Sequence, residues 1–255
     1  TRQLAPRVPH GVTVISESGI NNYGQIRELS HYANGFLIGS ALMSEADLRA
    51  AVRRVILGDN KVCGLTRPQD AAAAYQAGAI YGGLIFVGRS PRYVDITRAR
   101  EVISGAPLKY VGVFCDAQVD TVALTVERLG LHAVQLHGAE DQAYISALRA
   151  RLPADCRIWK ALSVKDRVPA RDLQHVDRYL LDNGAGGTGQ RFDWSVLQGE
   201  DLTNVMLAGG LRADNCVEAA KLGCTGLDFN SGVESEPGIK DPARLASVFQ
   251  TLRAY

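Results

Sequence analysis

Long apolar runs are missing from this chain: no stretch approaches the ~18 uninterrupted apolar residues of a membrane-spanning helix. The opening Thr1-Arg2-Gln3-Leu4-Ala5-Pro6 has no apolar core of the secretory-signal kind. An excess of charge of either sign is missing too. With 28 Lys and Arg against 27 Asp and Glu, the net charge carries no nucleic-acid or membrane-surface footprint. Cysteine is sparse and odd in number, five in all, with no metal-type pairing, so the expectation is reduced thiols in the cytosol and no metal centre. No Gly-x-Gly-x-x-Gly follows the first strand-like run, which counts against a doubly wound sheet, the architectural alternative.

What the chain does have is alternation. Short β-rich runs alternate with amphipathic helical segments from end to end, the pattern of a parallel α/β fold. From Lys61 onward eight strands are expected, near Val62-Cys63, Gly83 to Phe86, Val111 to Phe114, Ala133 to Leu136, Ile158 to Lys160, Tyr179 to Leu181, Val205 to Leu207 and Leu227 to Phe229. Helices are expected over Asp70 to Ala77, Val119 to Leu129, Asp141 to Arg151, Ala213 to Leu222 and Pro242 to Leu252, while Ser163 to Gln174 is at best weakly helical. Eight such units make a compact TIM (β/α)8 barrel over residues 59–255. Two units precede it: a strand at Val12 to Ser16 with a helix near Tyr23 to Tyr32, then Phe36 to Ile38 with Glu45 to Leu57. Two strands cannot close a barrel. Residues 1–58 are therefore expected to be the end of a second, truncated barrel, joined through a linker at Gly58-Asp59-Asn60. The first residue, Thr rather than Met, hints at processing or truncation.

The candidate chemistry collects at strand ends. Asp182 closes Tyr179-Leu180-Leu181-Asp182 and leads into the glycine-rich Asn183-Gly184-Ala185-Gly186-Gly187-Thr188-Gly189. A carboxylate there, with backbone amides freed by glycines just beyond, is how a barrel sets an acid beside a bound anion. Cys63 closes the first barrel strand, and Gly64 lets the chain turn after it. A thiolate at that position is a candidate base, provided a positive or dipolar environment lowers its pKa; the other four cysteines read as structural. Arg92, in Ser90-Pro91-Arg92-Tyr93, has the planar fork that suits a carboxylate. Gln135 and His137 end the fourth strand and are assigned to the pocket wall. Gly209-Gly210 after the seventh strand, and Asp228, Asn230, Ser231 and Gly232 around the end of the eighth, read as the recurring phosphate cradle of these barrels. A phosphorylated small molecule is the expected ligand, without nucleic acid or membrane.

Residues 59–255 resemble phosphoribosylanthranilate isomerase of tryptophan biosynthesis over the whole barrel. The matching motifs are Lys61-Val62-Cys63-Gly64-Leu65-Thr66, Ser90-Pro91-Arg92-Tyr93, Val111 to Phe114, Val134-Gln135-Leu136-His137-Gly138, Leu181-Asp182 with Gly186-Gly187-Thr188-Gly189, Ala208-Gly209-Gly210-Leu211, and Ser231-Gly232-Val233-Glu234 with Pro237-Gly238 and Lys240. Residues 1–58 resemble the last two units of indole-3-glycerol-phosphate synthase, through Val14 to Ile20 and Phe36 to Leu42. That resemblance implies a residual synthase site at Glu17, Ser18, Gly19, Gly39 and Ser40, with the remaining catalytic groups on earlier strands.

For the barrel the resemblance implies an Amadori isomerisation without a cofactor. Asp182 acts as acid and Cys63 as base, Arg92 holds the substrate carboxylate, and Gly187, Gly189 and the Gly210 and Ser231 loops hold the phosphosugar. It further implies a cytoplasmic, bifunctional parent, monomeric with two fused barrels. Two rival readings stay open: another phosphosugar isomerase or epimerase barrel, and a barrel that binds phosphate without turnover.

Overall fold

Two compact units divide the computed structural model, residues 1–58 and 59–255, and the structure describes residues 1–184 and 191–254. In the first unit a 3-10 turn at Ala5–Arg7 is followed by β1 (Ile15–Glu17), α1 (Tyr23–Leu29), β2 (Gly35–Leu37), α2 (Ser40–Met43) and α3 (Leu48–Leu57). β1 and β2 pair in parallel, with Ile15 opposite Gly35 and Glu17 opposite Leu37. Side-chain caps set the helix starts. Asn22 accepts from the Gln25 amide before α1, and Asp47 accepts from the Ala50 amide before α3. The Asp47 cap explains why α3 begins later than the helix expected from Glu45, with the separate turn α2 ahead of it.

The second unit runs β3 (Lys61–Val62), α4 (Pro68–Ala77), β4 (Tyr81–Ile85), α5 (Ile96–Ser104), β5 (Lys109–Phe114), α6 (Val119–Leu129), β6 (Ala133–Leu136), α7 (Gln142–Arg151), β7 (Arg157–Ser163), β8 (Arg178–Asp182), β9 (Val205–Leu207), α8 (Cys216–Lys221), β10 (Gly226–Phe229), β11 (Glu234–Glu236), β12 (Ile239–Lys240) and α9 (Pro242–Ala254). Every barrel strand is parallel to its neighbours, and β10 pairs with β3, so the sheet closes as an eight-stranded barrel. This is the expected TIM architecture. Its strands are buried on both faces, the consequence of helices outside and packed side chains within. Among the described residues no regular helix follows β7, and after β8 there is only a 3-10 turn at Trp194–Leu197.

The amino ends of the strands are plugged by a polar and aromatic layer. Arg178 lies over the rings of Tyr81 and Trp159 and donates to Asp59 Oδ2 at 2.6 Å. The carboxyl ends are left for other residues. The antiparallel β11–β12 pair, unanticipated in the sequence, carries Glu234 and Lys240 to that end.

Candidate active site

Every described barrel residue expected at the site lines one cavity of about 530 Å³ at the carboxyl ends of the strands: Cys63, Arg92, Gln135, His137, Asp182, Gly209, Gly210, Asp228, Asn230, Ser231 and Gly232. Gly187 and Gly189 lie outside the described residues. In the first unit, Glu17 ends β1 and Ser18–Gly19 follow it, while Gly39–Ser40 come after the end of β2, all exposed.

Cys63 sits one residue past β3, and its sulfur packs with Ile85, Val113 and Val87. Two glycines make room around it. A Cβ on Gly83 would stand 2.7 Å from the sulfur, and one on Gly64, whose φ is +70°, would stand 2.6 Å from Arg92 Cδ. Burial is the dominant influence on the thiol and leaves its pKa above the ordinary value, although the Lys61 ammonium pulls it down. A positive neighbour of the kind sought in the sequence is present in Lys61, but desolvation outweighs it.

Asp182, last residue of β8, is buried, and desolvation raises its carboxyl above the usual range despite the Asn183 amide donating to Oδ1 at 2.7 Å. That favours the neutral acid. His137 is driven down to about 4 by burial and by the ammonium groups of Lys61 and Lys160, so it is a neutral imidazole at pH 7.

Three features of the site were not legible beforehand. Arg92 is gripped by Glu234, with Nε 2.9 Å from Oε1 and Nη2 2.7 Å from Oε2, which leaves Nη1 for a ligand. Lys61, wholly buried, donates to Asp228 Oδ2 at 2.7 Å, while Asp228 Oδ1 has no partner among the described residues. Lys240 donates to Glu234 Oε1 at 2.7 Å and to Asn230 Oδ1 at 3.0 Å. Glu234 and Lys240 stood within the matching motifs without a readable role, whereas Lys61 carried a physical cue, because two residues before Cys63 on a strand means the same face. Cys115, read as structural, also lines the cavity, and Arg89 at the mouth donates to its sulfur at 3.4 Å.

The phosphate-type loops are tied to each other and to α8. Asn215 Nδ2 donates to the Gly210 carbonyl at 2.9 Å, its Oδ1 accepts from the Arg212 amide, and a Cβ on Gly232 would fall 2.0 Å from the Leu211 carbonyl oxygen. Among the described residues no group of His, Cys, Asp and Glu is arranged to hold a metal ion, and no helix is long and apolar enough to cross a membrane.

Compared with known proteins, residues 60–251 match the family described as N-(5'phosphoribosyl)anthranilate isomerase, and residues 1–55 match that described as indole-3-glycerol phosphate synthase. The tryptophan biosynthesis protein TrpCF of Yersinia pestis is 72% identical across the whole chain, and that of Salmonella typhi 71%. The chain covers 54% and 56% of those proteins, so it spans about half the length of the curated relatives it matches. Phosphoribosyl anthranilate isomerase from Thermus thermophilus superposes with a TM-score of 0.67 at 31% identity, over 76% of this chain and 98% of that one. A phosphoribosyl anthranilate isomerase solved with reduced 1-(o-carboxyphenylamino)-1-deoxyribulose 5-phosphate gives 0.65 at 26% identity, over 78% of this chain and 100% of that one.

Proposed function

The chain belongs to the N-(5'-phosphoribosyl)anthranilate isomerase family, and from that premise we propose that residues 59–255 convert N-(5'-phosphoribosyl)anthranilate to 1-(2-carboxyphenylamino)-1-deoxyribulose 5-phosphate. The observation that carries this reading is the shared cavity: a buried acid and a thiol border the same space as Arg92 and the two glycine loops. Asp182, whose carboxyl burial raises above the usual range, donates as the acid to the furanose oxygen as the C1–O bond breaks. The anthranilate nitrogen supplies the electron pair, giving a C1 iminium and an open-chain hydroxyl. Cys63 as thiolate then removes the C2 proton, and the electrons of that C–H bond neutralise the iminium to an enolamine. Loss of the 2-hydroxyl proton and protonation at C1 complete the ketone. The substrate's own nitrogen is the electron sink, so the steps call on no cofactor.

Binding follows from the same walls. Arg92 Nη1 takes the anthranilate carboxylate, Ile85 and Val87 flank the ring, and the Gly210 and Ser231 loops take the phosphate. Holding both ends fixes the sugar between acid and base. In the longer relatives residues 1–58 would complete the indole-3-glycerol-phosphate synthase barrel, giving a cytoplasmic, bifunctional monomer with two fused barrels. Glu17, Ser18, Gly19, Gly39 and Ser40 are the residues of that second site.

Asp182→Asn and Cys63→Ala are each expected to lower turnover about 100- to 10,000-fold, the range for loss of one proton-transfer group, with unchanged far-UV circular dichroism. Turnover is followed by the decay of substrate fluorescence. Near-wild-type rates in either variant remove that residue from the mechanism.

A further inference from the structure

Arg92 reaches the cavity with one edge of its guanidinium already engaged. Its backbone is fixed first. The Arg92 amide donates to Ser90 Oγ at 3.1 Å, and the Val94 amide donates to the Ile85 carbonyl at 3.0 Å, which ties this turn to the end of β4. The side chain is fixed next, by Glu234. Nε lies 2.9 Å from Oε1 and Nη2 2.7 Å from Oε2, a side-on bidentate pairing that sets the plane of the guanidinium as well as its place. Nη1 has no partner among the described residues, and Arg92 lines the cavity whereas Glu234 and Lys240 do not.

Glu234 is itself held from several sides. Lys240 Nζ donates to Oε1 at 2.7 Å, the Gly238 amide donates to the same oxygen at 3.2 Å, and Arg244 Nη1 donates to the Glu234 backbone carbonyl. The β11–β12 hairpin that carries Glu234 and Lys240 is pinned to the barrel mouth by Thr66 Oγ1, which donates to the Gly238 carbonyl. Lys240 extends the lock to Asn230 Oδ1 at 3.0 Å, one residue before Ser231 of the phosphate-type loop. Gly64 lets the two sides close over the end of β3, since a Cβ there would stand 2.6 Å from Arg92 Cδ and 2.9 Å from Asn230 Oδ1. Burial pushes the Glu234 carboxyl up, but its contacts with Arg92 and Lys240 outweigh that and hold it below its ordinary range.

We propose that Glu234 is the positioning residue that aims Arg92, and that it thereby sets the preference of this cavity for an aromatic amine bearing an ortho carboxylate. An arginine loses much rotamer freedom when it is ordered by a ligand; ordering it in the fold removes that cost from the binding step. Glu234 also competes for the guanidinium with any second carboxylate. Lys240, 2.7 Å away on the far side of Glu234, offsets that negative charge and leaves Nη1 attractive to an anion. The inference rests on the reading in which Arg92 takes the anthranilate carboxylate, and extends it to a residue outside the cavity wall.

The test is calorimetric titration of the full chain with two unreactive ligands, 1-(2-carboxyphenylamino)-1-deoxyribitol 5-phosphate and its counterpart without the carboxyl group. The wild type should bind the first about 10- to 100-fold more tightly, the worth of one hydrogen bond to a charged group. Glu234→Gln offers a single oxygen to four donors, Arg92 Nε and Nη2, Lys240 Nζ and the Gly238 amide, and should cut that ratio at least about 5-fold. Its affinity for the ligand without a carboxyl should change little. Glu234→Asp keeps the charge but draws the oxygens back by one methylene, and should lower the ratio as well. Added to Arg92→Met, Glu234→Gln should alter the ratio by less than about 2-fold, because Glu234 acts through Arg92. A wild-type ratio near one, an unchanged ratio in the Glu234 variants, or equal weakening of both ligands overturns the proposal; the last is what a merely structural role produces. If Glu234→Gln or Arg92→Met does not fold, Glu234→Asp decides alone: a fall in the ratio supports it, and no change overturns it. Absent isomerase turnover with this affinity pattern intact would sink the functional reading and leave the role of Glu234 standing.

Discussion

The two units use the same strand–helix grammar and reach opposite ends. In residues 1–58, β1 and β2 form a two-stranded sheet, and Ile15 and Leu37 remain more than half exposed. In residues 59–255, eight strands close, and Val62, Leu84, Val111, Val134, Ile158 and Leu207 have no accessible surface. Both units put small and polar residues at strand carboxyl ends: Ser18–Gly19 and Gly39–Ser40 in one, Gly209–Gly210 and Ser231–Gly232 in the other. Only in the second do they surround a cavity with an acid and a thiol. Motif chemistry at a strand end becomes a site when closure brings several ends around one mouth and excludes water from it. Charges at such a mouth should therefore be worth much more than charges in the open sheet.

Ion pairs give the largest contrast. Glu140 is nearly fully buried; its oxygens accept from Lys160 Nζ at 2.7 Å and from the amides of Asp116 and Gly138 at 2.9 Å each. Lys160→Met would leave that carboxylate buried without its counter-charge, at a cost of about 3–5 kcal/mol. Arg2 pairs with Glu28 in the first unit, but both side chains are about half exposed, 59% and 48%. Arg2→Ala is expected to cost less than about 1 kcal/mol. Urea unfolding followed by tryptophan fluorescence reads the barrel, since Trp159 and Trp194 are the chain's two tryptophans; circular dichroism adds the first unit. A Lys160→Met loss under about 1 kcal/mol would erase the distinction between mouth and open sheet.

That dependence on closure also explains what the sequence could tell. The barrel was legible because alternation is a local signal repeated eight times, and Asp182 and the glycine loops were legible because each is a short motif next to a strand. Glu234 was not, because its partner Arg92 is 142 residues away and nothing near either residue announces the other. Nor was the β11–β12 pair that delivers Glu234 and Lys240, three and two residues long and without alternating character. Lys61 was readable in principle. A lysine on the same strand face as a candidate thiolate is a cue that composition alone does not give.

Enclosure gives the mouth a pH dependence as well. His137 is neutral in the fold down to about pH 4, while an unfolded histidine takes up its proton near 6.5. Between those values the unfolded chain binds more protons than the native one, so this contribution to stability falls as pH falls and is fully present above about 6.5. Over that window the loss amounts to roughly 3 kcal/mol. His137→Gln should flatten this part of the profile, measured as the difference in urea midpoints between pH 7 and pH 5 for the variant and the wild type. Equal slopes in both would mean that the imidazole is not held dry.

Backbone crowding sharpens the contrast at the smallest scale. A Cβ on Gly226 would lie 2.0 Å from the Asp59 carbonyl oxygen, at the seam where β10 meets β3 and the barrel closes. Both parties are backbone, so no side chain can swing aside; the strands must separate, which is why Gly226→Ala should cost about 1–3 kcal/mol. Gly39, at the start of α2, has φ −109° and no heavy atom within 4 Å of where its Cβ would be. Alanine fits there without strain and narrows the unfolded ensemble, so Gly39→Ala should be neutral or stabilising by at most about 1 kcal/mol. Scanning calorimetry of both variants separates the two units without relying on a fluorophore. If Gly226→Ala melts with the wild type, the β3–β10 seam has slack that a closed barrel should not have, and the packing difference between the units is smaller than their strand counts imply.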